Sequence, residues 1–116
     1  MRDAKWLSQV KRGLLELCIL NLVGREPMYG YQIVKRLASV PGLVITEGTV
    51  YPLLSRLKRE GLLSGRLVES PQGPARRTYE LTGAGRRHMR SINESWQEIA
   101  EAVRRFMDGQ VQEESQ

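Results

Sequence analysis

Residues 46–61 read Thr-Glu-Gly-Thr-Val-Tyr-Pro-Leu-Leu-Ser-Arg-Leu-Lys-Arg-Glu-Gly. At about 100° per residue this stretch makes a short helix with two unlike faces. Val50, Leu53, Leu54 and Leu57 gather on one side, and Gly48, Thr49, Pro52, Ser55, Arg56 and Arg59 on the other. The second face carries no acid, little bulk and two arginines. Such a face can lie against a polyanion while a core holds it from behind, so the segment is expected to be a DNA-recognition helix. Pro52 is its irregular residue, because proline removes a backbone donor and crowds the carbonyl one turn back. Either the helix begins late, near Thr49, where first-turn amides have no intrahelical partner, or its first turn is kinked.

The flanking segments supply a scaffold. Upstream, residues 5–23 repeat apolar side chains at helical spacing, with Trp6, Val10, Leu14, Leu17, Leu15, Cys18, Ile19, Leu22 and Val23 forming a broad apolar surface. A helix so apolar belongs at the centre of the core, with Gly24 as its stop and Pro27 beyond it. Residues 29–39 make a second short helix. In it Ile33, Val34 and Leu37, with Tyr29 or Tyr31, face inward, and Lys35 and Arg36 face outward. Pro41-Gly42 ends it in a turn. Leu43-Val44-Ile45 is a candidate small edge strand, and Thr46 is a candidate cap for the third helix.

Downstream, Gly61 closes the third helix. Leu62–Glu69 and Arg76–Leu81 read as two strands joined by Ser-Pro-Gln-Gly-Pro-Ala, a loop of turn formers. Arg76 and Arg77 lie at the tip or on the return strand of this hairpin. Thr82 then caps a last helix over about Gly83–Met107. Its Met89, Ile92, Trp96, Ile99, Val103 and Phe106 fall at alternating spacings of 3 and 4, a heptad seam. A helix of that length spans about 37 Å, more than a small domain covers, so part of the seam is expected to meet a second subunit. The fold class expected is mainly α with a small β-hairpin: a winged helix-turn-helix over 1–81, whose N-terminal helix also lies near the dimer interface, a dimerisation helix over 82–108, and a disordered tail over 109–116.

Bulk properties agree. The chain has 116 residues and 41% hydrophobic content, enough for one core. Net charge is +5, and between Lys35 and Arg90 eleven Lys or Arg stand against four Glu. That local surplus points to nucleic acid before a membrane surface. A single Cys, Cys18, and a single His, His88, exclude an intramolecular disulfide and argue against a Cys/His zinc site. Cys18 reads as a core residue, and His88, within Arg86-Arg87-His88-Met89-Arg90, as a surface residue. No apolar run nears the ~20 residues of a membrane span, and the polar N-terminus is unlike a secretory signal. A cytoplasmic, non-enzymatic protein with no catalytic residues, no metal and no cofactor is expected. Gly83-Ala84-Gly85 reads as close backbone packing after the hairpin.

Five fragments carry a family likeness: Gly30-Tyr31-Gln32-Ile33, Glu47 to Leu54, Arg56-Leu57, Glu60-Gly61-Leu62 and Tyr79 to Gly85. In this order and spacing they resemble the PadR family of bacterial transcriptional regulators, over about residues 10–107. The single terminal helix resembles the short subfamily, and Asn93 to Ile99 resembles its multidrug-responsive members. The resemblance implies a dimer that binds a palindromic double-stranded DNA operator, usually as a repressor, and that senses phenolic or flat hydrophobic molecules. It also implies that Trp96 lines an apolar cavity between subunits.

Thr49, Ser55, Arg56 and Arg59 are the expected DNA contacts on the third helix, with Tyr51 and Lys58 on its flanks. Tyr31 and Lys35 of the second helix are the expected backbone contacts, and Arg76 and Arg77 of the wing the expected phosphate or minor-groove contacts. Trp96 leads the ligand-binding candidates, with Trp6, Ile92, Ile99 and Val103. The competing class is a winged-helix adaptor that presents the same helix to another protein.

Overall fold

The computed structural model describes residues 3–42 and 45–111. The chain folds as α1 (Ala4–Arg25), β1 (Met28–Tyr29), α2 (Gly30–Ala38), α3 (Glu47–Arg59), β2 (Leu63–Ser70), β3 (Gly73–Leu81) and α4 (Gly83–Met107). Three helices followed by a hairpin and a long last helix is the architecture expected. No helix among the described residues is long and apolar enough to cross a membrane.

α1 starts where the Asp3 side chain accepts from the Trp6 amide at 3.1 Å. Its Leu15, Ile19, Leu20 and Val23 are buried. Around them close Ile33, Val34 and Leu37 of α2, Val50, Leu54 and Leu57 of α3, and Leu63, Tyr79 and Leu81 at the hairpin base. Cys18 is half-buried against this core, and that burial pushes its thiol pKa up. α1 does not stop at Gly24 but runs on to Arg25. The glycine serves packing: a Cβ there would lie 3.0 Å from the Met89 Sδ and 3.1 Å from Leu81 Cδ1.

The sheet has three antiparallel strands in the order β1-β3-β2. β2 and β3 pair from Leu63↔Leu81 to Ser70↔Gly73, with an irregularity between Val68 and Ser70. The hairpin is therefore longer than expected. Only Pro71-Gln72 forms the turn, and Arg76 and Arg77 sit on the return strand. The edge strand is Met28–Tyr29, paired to Tyr79 and Thr78. Of the segment expected in that role, residues 43–44 lie outside the described residues and Ile45 is not in a strand. Residues 112–116 of the tail likewise lie outside them.

α3 begins at Glu47, with Thr46 in the cap position but without a side-chain capping bond. The amides of Thr49 and Val50 both donate to the Thr46 carbonyl at 3.1 Å. The helix thus does not start late, and the ring of Pro52 falls against the carbonyl of Gly48, one turn back. Both residues are on the exposed face, where water can take up the released acceptor.

The hairpin and α4 are locked at one junction. The Thr82 hydroxyl donates to the Gly61 carbonyl at 2.6 Å and accepts from the Gly85 amide at 2.9 Å. Gly85 is buried there, and a Cβ on it would sit 1.9 Å from the Leu62 carbonyl oxygen. The reading of Gly83-Ala84-Gly85 as close backbone packing holds at Gly85. Gly85→Ala is expected to lower stability by about 1–3 kcal/mol through overpacking. A urea midpoint equal to that of the parent protein would show that α4 can shift away freely.

Candidate nucleic-acid interface

On α3 the core side is Val50, Leu54 and Leu57, each 0% exposed, and this fixes what faces out. Gly48, Thr49, Pro52, Ser55 and Arg59 are exposed, as are Tyr51 and Lys58 on one flank. Thr49 borders a hollow of about 330 Å³ whose opposite wall carries Lys11 and Arg12 of α1. Those two cations were not among the expected contacts. Their only sequence signal is a Lys-Arg pair on the polar side of a helix that reads as core.

The Lys58 flank meets the wing. A side chain on Gly65 of β2 would fall 3.5 Å from Lys58 Cδ, 3.5 Å from Tyr79 Cε1 and 3.6 Å from Arg77 Cδ. Gly65 therefore lets the Lys58 and Arg77 stems approach each other over the sheet. Beyond them a cleft of about 440 Å³ opens between α2, α3 and β3. It is lined by Tyr29, Tyr31, Tyr51, Tyr79, Arg76 and Arg77, with Gly30 at its floor. A Cβ on Gly30 would meet Tyr51 Cε1 at 2.6 Å, so the glycine makes room for that ring. The Arg76 guanidinium stands 4.5 Å from the Tyr29 ring centroid, and the Lys35 ammonium 5.5 Å from that of Tyr31. The fold thus brings Tyr31, Lys35, Tyr51, Lys58, Arg76 and Arg77 to one side. Tyr29 and Tyr79, which were not among the expected contacts, join them in the cleft.

α4 divides its seam. Met89 and Ile92 pack against the domain's own core. Trp96, Ile99, Val103 and Phe106 are 41%, 56%, 49% and 67% exposed. Trp6 is 58% exposed at the start of α1. One chain does not enclose the residues expected to hold a ligand.

A sequence model described as the "Transcriptional regulator PadR-like family" matches residues 19–91, more than half of the chain. The chain belongs to the PadR-like family. Among solved structures, a PadR-like transcription factor from Bacteroides fragilis is 44% identical, with TM-score 0.72, over 85% of this chain and 95% of that one. A PadR-like transcriptional regulator from Bacillus cereus is 33% identical, with TM-score 0.78, over 85% and 96%. A transcriptional regulator of Mycobacterium tuberculosis is 32% identical over 99 residues, spanning 84% of this chain and 89% of its own length.

In this PadR-like regulator one expected contact is already engaged. Arg56 lies on the other flank of α3, half-buried, and donates to Glu60 at 2.9 Å and to Glu16 of α1 at 2.8 Å. The wheel placed it on the free face, but its partner on α1 is 40 residues away in sequence. The second Glu16 oxygen pairs with His88 of α4 at 2.8 Å, so His88 is not a bare surface histidine. Glu16 escaped the sequence reading. Its signal is that it is the one charged residue between Gly13 and Val23. Burial raises the Glu16 pKa, but the hydrogen bonds and charges of Arg56 and His88 outweigh it and leave the carboxyl below its ordinary value.

A carboxyl whose folded pKa is depressed adds stability above its unfolded pKa, and that stability is lost as pH falls through the folded value. Glu16→Gln should therefore cost about 1 kcal/mol at pH 7, a figure reduced for the solvent exposure of Arg56. The cost should shrink towards zero as the pH is lowered below the carboxylate range. Denaturation curves at pH 7 and pH 3 check this; an equal cost at both would show that Glu16 acts through packing alone.

Proposed function

We propose that this PadR-like regulator is a dimeric, ligand-responsive repressor that binds a palindromic operator through α3 and the wing. The observation that carries the reading is the continuous face made by Thr49, Ser55 and Arg59 of α3, Lys58 on its flank, and Arg76 and Arg77 of β3. α3 would lie in the major groove and the wing would reach the adjacent backbone. Tyr31 and Lys35 of α2 would touch phosphate, as the first helix of such a motif does. Arg56, held by two carboxylates, contributes less to contact and more to holding α3 in place.

A second copy would cover the Trp96–Phe106 stripe, which is too apolar to be left in water. Two-fold pairing makes the operator palindromic and sets half-sites about 34 Å apart. A flat hydrophobic or phenolic molecule entering beside Trp96, with Trp6, Ile92, Ile99 and Val103 as further walls, would favour one spacing of the two reading heads. It regulates only as far as it binds the two arrangements with different affinity.

With a duplex selected from genomic fragments, affinity should fall steeply with salt. Arg59→Ala should flatten the log–log slope by about 0.9, the share of one phosphate contact. Weak binding that salt does not change would instead favour a protein-binding adaptor.

Val103→Asp places a charge in the seam, and sedimentation should show it shifted to monomer. The same variant should lose tryptophan quenching by a flat aromatic dye. A variant that stays dimeric would remove Val103 from the interface.

A further inference from the structure

The cleft between α2, α3 and the wing holds all four tyrosines of the chain beside two arginines. Tyr79 decides its character. Its ring is only 6% exposed, packed among core residues at the hairpin base. No buried side-chain polar atom among the described residues lacks a partner. The Tyr79 hydroxyl bonds to no described group, so it is reached from the cleft that its ring lines. A tyrosine buried this far normally gives its hydroxyl a protein partner. Here the ring is fixed by the core and the donor is left for something that enters.

The other lining groups share this bias. The hydroxyls of Tyr29, Tyr31 and Tyr51 also bond to no described side chain or carbonyl. Arg76 lies against the Tyr29 ring and, like Arg77, has no carboxylate within ion-pair distance among the described residues. The lining contains no acid. Glu47, at the start of α3, is the one carboxylate whose charge acts on Tyr51. Desolvation first, then Glu47 and the neighbouring tyrosines, raise the Tyr51 pKa and keep that phenol a donor. Four hydroxyls and two guanidiniums without a fixed acceptor call for an anion with several oxygens. The cleft volume of about 440 Å³ exceeds what a bare oxyanion fills and falls in the range of small-molecule sites. The ring walls suit a planar or sugar substituent.

We propose that this cleft is a receptor for a phosphoryl group carried on an aryl or sugar ester, seated by the Tyr79 hydroxyl and the Arg76 guanidinium. Its source is a soluble phosphomonoester, distinct from the DNA backbone already assigned to Arg76 and Arg77. The proposal does not rest on the DNA-binding reading above.

Phenyl phosphate is the soluble probe, with phenol as the uncharged control, titrated into the full chain by calorimetry. Saturable binding of phenyl phosphate and none of phenol is expected. Arg76→Ala should weaken it about tenfold and Tyr79→Phe about fivefold, the loss of a charge-assisted contact and of one hydroxyl. Tyr79→Phe keeps the buried ring, and an unchanged thermal midpoint confirms its fold. Arg76 is exposed, so its variant serves if the core variant does not fold.

The same variants are then titrated with a bound duplex. Duplex affinity lowered by Tyr79→Phe, with no variant-sensitive binding of phenyl phosphate, makes the cleft part of the DNA interface and overturns the receptor. Variant-sensitive phenyl phosphate binding that leaves duplex affinity untouched supports it with the soluble ester as the source. Should the chain bind no duplex, the DNA reading fails and the phenyl phosphate titration alone decides. The proposal is overturned if phenyl phosphate fails to saturate, or does so equally in both variants, whatever the duplex affinity.

Discussion

The Glu16 carboxylate constrains more of this molecule than any other single group. It sits in the most apolar stretch of α1, where a charge without partners would be costly. Its two oxygens take one partner from α3 and one from α4. Asn21 and Asn93 add a reciprocal amide pair, at 2.7 and 2.9 Å, between α1 and α4. α1 is thus the common support of α3, the helix proposed to meet DNA, and of the helix that carries the apolar stripe. Rotation of α4 against α1 has to strain these pairs, and Glu16 shares its charge with the guanidinium on α3. A disturbance at α4 therefore has a short polar route to α3, with no intervening loop.

That arrangement separates two uses of arginine. Arg56 faces two carboxylates and is spent within the fold, whereas Arg76 and Arg77 have no described ion-pair partner. Hydrogen bonds from Glu16 and Glu60 raise the Arg56 pKa and strengthen its hold on the charge. A guanidinium satisfied in this way gains less from a phosphate than one that water alone surrounds, because it must first give up its partners. Counting basic residues on a helix overstates the charge it offers outward.

Much of the fold could be read from the sequence because it rests on periodicity. The apolar run of α1, the two-faced helix at 47–59 and the heptad spacing of α4 each extend over several turns, and the α4 limits agree with those expected. β1 could not be read, since two residues carry no period. It became a strand because Thr78 and Tyr79 offered a free edge beside the bend at Glu26, just past the end of α1. The candidate site was legible only in outline. A helical wheel gives the angle of Arg56 but not the carboxylate waiting on another helix. The tyrosines were visible one at a time. Their convergence depends on strand register and on Gly30 and Gly65, which admit close neighbours for reasons that lie outside their own segments.

The sheet has a further consequence. Its third strand pairs with only Thr78 and Tyr79, so from Arg77 outward the wing is a two-stranded ribbon. Every residue from Gly73 to Arg77 is exposed, and no core backs Leu67 or Val68. Isolated ribbons of this kind are only marginally ordered, and local stability falls where buried apolar contacts end. The hairpin therefore grades from a stiff root at Leu63 and Leu81 to a compliant tip. Arg76 and Arg77 lie just beyond the point where stiffness gives way. In the proposed DNA complex, grooves of different width would be followed by flexing the tip, while the root keeps its angle to α3.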